Sequence, residues 1–185
     1  VTGGGTLSLY DVDTQDTVSV SKTAVSAGGT YSGLSSLSSK VTPAQLLAMM
    51  TVTGSESSTT SQSADHGVNW AFDSGTQAFN FIPAGETLVL TYTIRARDNS
   101  NVAASRDDFQ TVTVTITGTD DGIVLSNDTK AIAENATGTA RTGNVLTNDS
   151  VDPDFNEATQ VTKFSVDANG DGTPEDYLPG ASVTI

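Results

Sequence analysis

Residues 110–122 read QTVTVTITGTDDG. From Thr111 to Thr117 the threonines alternate with Val112, Val114 and Ile116. That alternation puts apolar side chains on one face of an extended chain and β-branched polar ones on the other. A strand of this kind suits an antiparallel sheet with one face in a core and one in water. The strand then meets Gly118 and two adjacent carboxylates, Asp120 and Asp121, and a second patterned segment starts at once. One reading joins these features: the strand closes a module, and the acidic pair is a metal-dressed hinge to the next.

Upstream, the same pattern recurs. Residues 86–98, ETLVLTYTIRARD, set Leu88, Leu90, Tyr92, Ile94 and Ala96 against Thr91, Thr93, Arg95 and Arg97. Leu7 with Leu9, and Val18 with Val20, mark two earlier strands. In GVNWAFDSGTQAFNFI, residues 67–82, Trp70 and Phe72 precede Asp73-Ser74-Gly75, and Phe79 and Phe81 follow, which predicts a hairpin with aromatic partners. TPAQLLAMM, residues 42–50, departs from the period: a capping Thr42, then Pro43, then Leu46, Leu47 and Met50 at helical spacing. TGSESSTTSQSADHG, residues 53–67, is a polar loop. These segments predict an antiparallel β-sandwich over residues 6–118 with one short helix over 43–50. Its core is Leu9, Trp70, Phe72, Phe79, Phe81, Leu88, Leu90, Tyr92, Ile94, Val112, Val114 and Ile116. The register is testable, since a slip by one residue turns all of them outward.

Composition narrows the function. The chain has 185 residues, enough for one large or two ordinary domains, and a net charge of −14 from 22 acidic against 8 basic residues. Such a balance opposes binding to nucleic acid, whose phosphates require Lys and Arg, and to anionic membranes. It suits a soluble chain or one that collects divalent cations. There is no cysteine, so disulfides and thiolate metal sites are ruled out. No apolar run approaches the ~18 residues of a membrane span. The single histidine, His66, follows Asp65 in the Ser-rich loop; no phosphate loop, zinc set or dinucleotide fingerprint is present. The chain reads as non-enzymatic, with no small-molecule substrate.

After Gly122 short apolar runs alternate with Asn, Asp and Gly. Asp11-x-Asp13-x-x-Asp16 leads into Val18 and Val20, and Asp152-x-Asp154-x-x-Glu157 leads into Val161. This weak repeat predicts tandem modules, over residues 1–121 and 122–185. By the spacing of the repeat, the first module lacks an opening strand and the second is truncated. Unpaired edges in such a segment offer a place for another copy to bind.

The acids are the candidate chemistry, because Ca²⁺ is bound by six to eight hard oxygen ligands. Asp120 and Asp121 form one group, Asp152 and Asp154 another, and Asp98 ends the TIRARD strand. Asp167, Asn169, Asp171 and Glu175 stand at positions 1, 3, 5 and 9 of an EF-hand-like loop, with Gly172 at 6 and Leu178 at 12, where a bidentate Glu is needed. Each group has a second reading without an ion, since Asx residues form turns with their own backbone and Asn-Gly and Asp-Gly close hairpins.

GTLSLYDVDTQDTVSV, GVNWAFDSGTQAFNFIPAGETLVLTYTIRARD and QTVTVTITGTDDG together resemble the VCBS repeat of giant repeats-in-toxin (RTX) adhesins of bacteria. NVLTNDSVDPDFNEATQVTKFSVD resembles the bacterial Ig-like or cadherin-like repeat that accompanies it. The resemblance implies an all-β fold of tandem antiparallel Ig-like or cadherin-like sandwiches. It implies extender modules whose short linkers bind Ca²⁺, in a bacterial cell-surface adhesin exported by type I secretion, with neighbouring modules of the same chain as partners. By cadherin-like logic the linker acids are joined by the Asp-x-Asp of the next module, and Asp152 lies 31 residues after Asp121. Glu134 is a further ligand there, and Asp11 and Asp13 serve the preceding linker. The expected function is therefore structural, an extender of a calcium-dependent adhesin. The alternative is a glycan- or protein-binding module of a secreted bacterial protein, which glycan binding would reveal.

Overall fold

The computed structural model describes residues 1–9, 17–57, 66–99, 106–129, 144–167 and 169–180. The chain divides into two compact units, Val1–Asp120 and Asp121–Ile185.

In the first unit, β1 (Thr2–Leu9), β5 (His66–Asp73) and β3 (Met50–Thr53) form a three-stranded sheet in the order β1-β5-β3. A second sheet has the order β4-β2-β6-β7, from β4 (Ser55–Ser57), β2 (Thr17–Gly29), β6 (Thr87–Asp98) and β7 (Asp107–Thr117). Every pairing is antiparallel. β6 pairs with β7 from Thr87↔Thr117 to Arg97↔Asp107 without interruption, whereas the β2–β6 register shifts at Thr23. The period-two reading of both strands holds. Leu88, Leu90, Tyr92, Ile94, Val112 and Ile116 are buried, while Thr111, Thr113, Thr115 and Thr117 are exposed.

The two sheets share one core. The rings of Phe72 on β5 and Tyr92 on β6 meet edge to face, with centroids 6.3 Å apart. Between β2 and β3 in sequence lie a one-turn helix, α1 (Leu37–Lys40), and α2 (Pro43–Ala48). α2 begins as its sequence dictates: Thr42 Oγ1 accepts from Gln45 N, and Gln45 Oε1 accepts from Thr42 N, a closed capping box with Pro at the first turn. Leu46 faces the core, and its carbonyl oxygen accepts a 2.7 Å hydrogen bond from Tyr92 Oη. Lys22 Nζ on β2 donates to the carbonyl oxygen of Met50, fixing the exit from the helix.

Two expectations are modified. The hairpin over residues 67–82 is absent, because the segment after β5 turns instead of extending. Phe79 adopts φ 62°, a left-handed conformation that ends a strand, and its carbonyl accepts from Ile82 N at 3.1 Å. Phe79 and Phe81 still reach the core, the latter against Tyr31 with centroids 5.5 Å apart. Leu9, Trp70 and Val114 are half-buried. Trp70 stands opposite Gly5, where a Cβ would meet its indole at 3.0 Å, so the ring spreads over the edge strand β1.

Among the described residues of the second unit the one sheet is a hairpin, β8 (Phe164–Val166) with β9 (Glu175–Tyr177). Phe164 stacks on Tyr177 with centroids 5.6 Å apart, and Asp176 accepts from Lys163 Nζ (2.7 Å) and Ser165 Oγ (2.5 Å). These donors hold the Asp176 carboxyl below its ordinary range. Residues 123–127 run beside 148–150, joined by bonds such as Val124 N to Ser150 Oγ and Ser126 N to Asp149 Oδ1 (both 2.7 Å).

Candidate metal centre

The acidic pair sits where the first unit ends, and Gly118 fixes that point. Gly118 N donates to the Glu86 carbonyl (2.9 Å), and Gly85 N donates to the Gly118 carbonyl (3.1 Å). A Cβ at Gly118 would overlap the carbonyl oxygens of Ile82 and Pro83, so only glycine passes so close to that turn. β7 has ended at Thr117, and two residues after Gly118 the first unit ends. Asp120 is the last residue of the first unit and is exposed; Asp121 opens the second and is half-buried.

In the second unit, the EF-hand-like spacing and the hairpin reading prove to be one object. Residues 167–174 are the loop joining β8 to β9. Asp167 organises it: Oδ1 accepts from Gly170 N (2.7 Å) and Asp171 N (3.2 Å), and Oδ2 from Gly172 N (2.8 Å). Asn169 Oδ1 accepts from Asp171 N at 2.9 Å, and Asp171 Oδ1 from Thr173 N at 2.8 Å. Gly170 (φ 75°) and Gly172 (φ 89°) supply the left-handed backbone that such nested Asx turns need. Folded this way, the loop gathers one carboxylate oxygen each from Asp167, Asp171 and Glu175 within 4.8 Å of one another. Three carboxylates at that separation repel, and a bound cation would offset the repulsion. The group can hold a metal ion, and its donors are all oxygen, which favours a hard cation over zinc or copper. Leu178, at the position of an EF-hand's bidentate Glu, is 73% exposed and contributes nothing; the third carboxylate comes from Glu175 at the start of β9.

Asp152 and Asp154 lie in consecutive turns. Asp152 Oδ1 accepts from Asp154 N (3.0 Å), and Glu157 N donates to the Asp154 carbonyl (3.3 Å), with Asn156 left-handed at φ 66°. These turns bury Asp154, 4% exposed, and bring a Glu157 carboxylate oxygen within 4.8 Å of one from Asp152. Glu175 is the ninth-position oxygen donor that the loop spacing predicts, whereas Glu157 is an acid to which the sequence reading gives no ligand role. The only signal for Glu157 in the sequence is its position at the end of the acid-x-acid-x-x-acid repeat.

Asp98 is placed apart from the acidic pair. It ends β6 beside Asp107, whereas Gly118 and Asp120 follow the opposite end of β7, a sheet length of roughly 30 Å away. Asp98 N donates to the Arg106 carbonyl, and Asn99 and Thr17 exchange bonds next to it (3.1 Å each), so this corner locks β6 to β2. On β7 there, Asp107 takes a bidentate pair of bonds from Arg97 at 2.8 and 3.0 Å, which hold its carboxyl below the usual range. Asp11, Asp13 and Glu134 lie outside the described residues.

Among the described residues no helix is long and apolar enough to cross a membrane. Comparisons with protein-family models, with curated proteins and with solved structures return no match to this chain.

Proposed function

We propose that the chain is a pair of consecutive modules from the extender region of a calcium-dependent bacterial cell-surface adhesin. In this reading the first unit is an Ig-like or cadherin-like sandwich, the second is a related module, and both act as spacers, not as enzymes. Ca²⁺ bound at the acidic pair, Asp120 and Asp121, stiffens the linker. A second Ca²⁺ in the Asp167–Asp171–Glu175 loop holds the β8–β9 hairpin.

One observation carries the reading: the chain changes from one compact unit to the next between Asp120 and Asp121. A linker needs to be polar, but it does not need adjacent carboxylates in a chain that already carries a charge of −14. Without a cation these charges repel and the modules swing; with one, the repulsion is offset and the linker stiffens. Millimolar extracellular calcium fills a weak site that cytosolic calcium leaves empty, so the chain stiffens only after export.

Small-angle scattering and thermal melting, in calcium and in chelator, test this on the wild type and on Asp120→Ala/Asp121→Ala. Calcium is expected to raise the maximum dimension and the melting temperature of the wild type. The stabilisation is about 2.7 kcal/mol at a hundredfold excess over Kd. The double variant is expected to keep a flexible linker in calcium. A wild type whose dimension and melting are indifferent to chelator leaves the acidic pair as a solvated turn.

A further inference from the structure

Strands at the margins of a sheet carry unpaired backbone donors and acceptors, and natural proteins protect them by shortness, lysine, proline or bulges. Among the described residues four strands of the first unit have a single neighbour: β1, β3, β4 and β7. β3 and β4 are four and three residues long, and β1 carries Gly3-Gly4-Gly5. β7 differs. It is 11 residues long, DDFQTVTVTIT, with no Pro, Gly, Lys or Arg and no bulge against β6. Its one guard is Asp107-Asp108 at the start, and Arg97 already engages Asp107. Phe109, beside them, is 53% exposed on the outer face.

We propose that β7 is a docking edge for β7 of a second copy of this chain, paired antiparallel about a two-fold axis at Val112. The sequence of the strand selects both partner and direction. Pairing about Val112 is the register that engages all 11 residues. It sets Thr111 opposite the partner's Thr113, and Val112 opposite the partner's Val112. Because opposed residues share a face, threonines meet threonines on the wet side, while on the other face Val112 meets Val112 and Gln110 lies opposite the partner's Val114. Phe109 lies opposite the partner's Thr115, an aromatic–β-branched pair of the kind that stabilises sheets. Asp107 and Asp108 fall against the partner's Thr117 and Ile116, so the carboxylates of the two copies stay at opposite ends. A parallel arrangement would stack Asp107 and Asp108 on their own copies. The product is one eight-stranded sheet made from two four-stranded ones, closed by a two-fold axis. No cation takes part in it.

Sedimentation of the full chain over a concentration series, at physiological ionic strength so that charge repulsion is screened, reads the association. The wild type is expected to rise from 19.0 kDa towards twice that mass, equally in calcium and in chelator. Thr111→Lys/Thr113→Lys places lysines opposite lysines, and Thr111→Glu/Thr113→Glu does the same with carboxylates. Both positions are exposed, so each variant should melt close to the wild type and stay at 19.0 kDa, while an equimolar mixture of the two regains the doubled mass. A wild type that stays at the single mass, a dimer that survives in either double variant, a mixture that fails to associate, or association abolished by chelator each overturns the proposal.

Discussion

Replacing Glu175 with Gln separates a metal loop from a turn that happens to be acidic. Asp167 and Asp171 are poor choices for this purpose, because their oxygens also hold the backbone N–H groups of Gly170, Asp171, Gly172 and Thr173. Changing them mixes the loss of a ligand with the loss of the loop. Glu175→Gln keeps the side-chain length and the Val166↔Glu175 backbone pairing, and alters the charge. A unit charge about 4 Å from a dication in a water-like dielectric is worth about 2 kcal/mol. Screening at physiological salt, with a length of about 8 Å, reduces this to about 1–2 kcal/mol. The hairpin site's Kd for Ca²⁺ should therefore rise roughly five- to thirtyfold. Calorimetric titration of chelator-treated full chain measures it, and Asp120→Ala/Asp121→Ala should leave this site's Kd unchanged while removing any linker site. An affinity for Glu175→Gln equal to wild type would refute the reasoning, and Asp167, Asp171 and Glu175 would then be an Asx turn with a neighbouring acid.

Two further expectations concern how the fold presents the linker. Gly118→Ala forces a methyl group into the carbonyl oxygens of Ile82 and Pro83, which are backbone and cannot rotate away; we expect a loss of roughly 2–4 kcal/mol and a fall of roughly 10 °C in the first unit's melting temperature, and a near-neutral result in a thermal scan would contradict the close approach of Gly118 to that turn. Tyr92 is a neutral donor to Leu46, and burial pushes its phenol up to about 12 from 10.0. A raised value stabilises the fold fully below pH 10 and loses that contribution as pH climbs from 10 through about 12. Tyr92→Phe should cost about 1–2 kcal/mol at neutral pH and weaken this alkaline limb, as followed by circular dichroism against pH.

The strands that could be read from the sequence are those whose pattern is their own. Thr111 to Thr117 and Leu88 to Ile94 alternate because one face of each meets a core, and that constraint is written residue by residue along the chain. The start of α2 was legible for a similar reason, since Thr42, Pro43 and Gln45 satisfy each other within one turn. Pairing across the chain was not legible. Alternation says that a strand has an inside, but not that β1 lies along β5 or that β2 lies along β6 with a shift at Thr23. The predicted hairpin failed at one residue, Phe79, whose left-handed backbone nothing in a run of aromatics announces. The acids follow the same logic. Spacing in the loop indicates oxygen donors at Asp167, Asn169, Asp171 and Glu175. Which carboxylates converge, however, depends on Gly170 and Gly172 folding the loop so that Glu175, the first residue of the return strand, comes back beside Asp167. Asp152 likewise meets Glu157 because Asn156 turns the chain, while Asp154, nearer in sequence, is carried inward. Asp98 was separated from the acidic pair by the opposite problem: two strand ends close in the linear sequence are a sheet length apart once β6 and β7 run antiparallel. Ligand sets in a β-protein of this kind are therefore decided at turns, where one left-handed residue chooses between neighbours in sequence and neighbours in space.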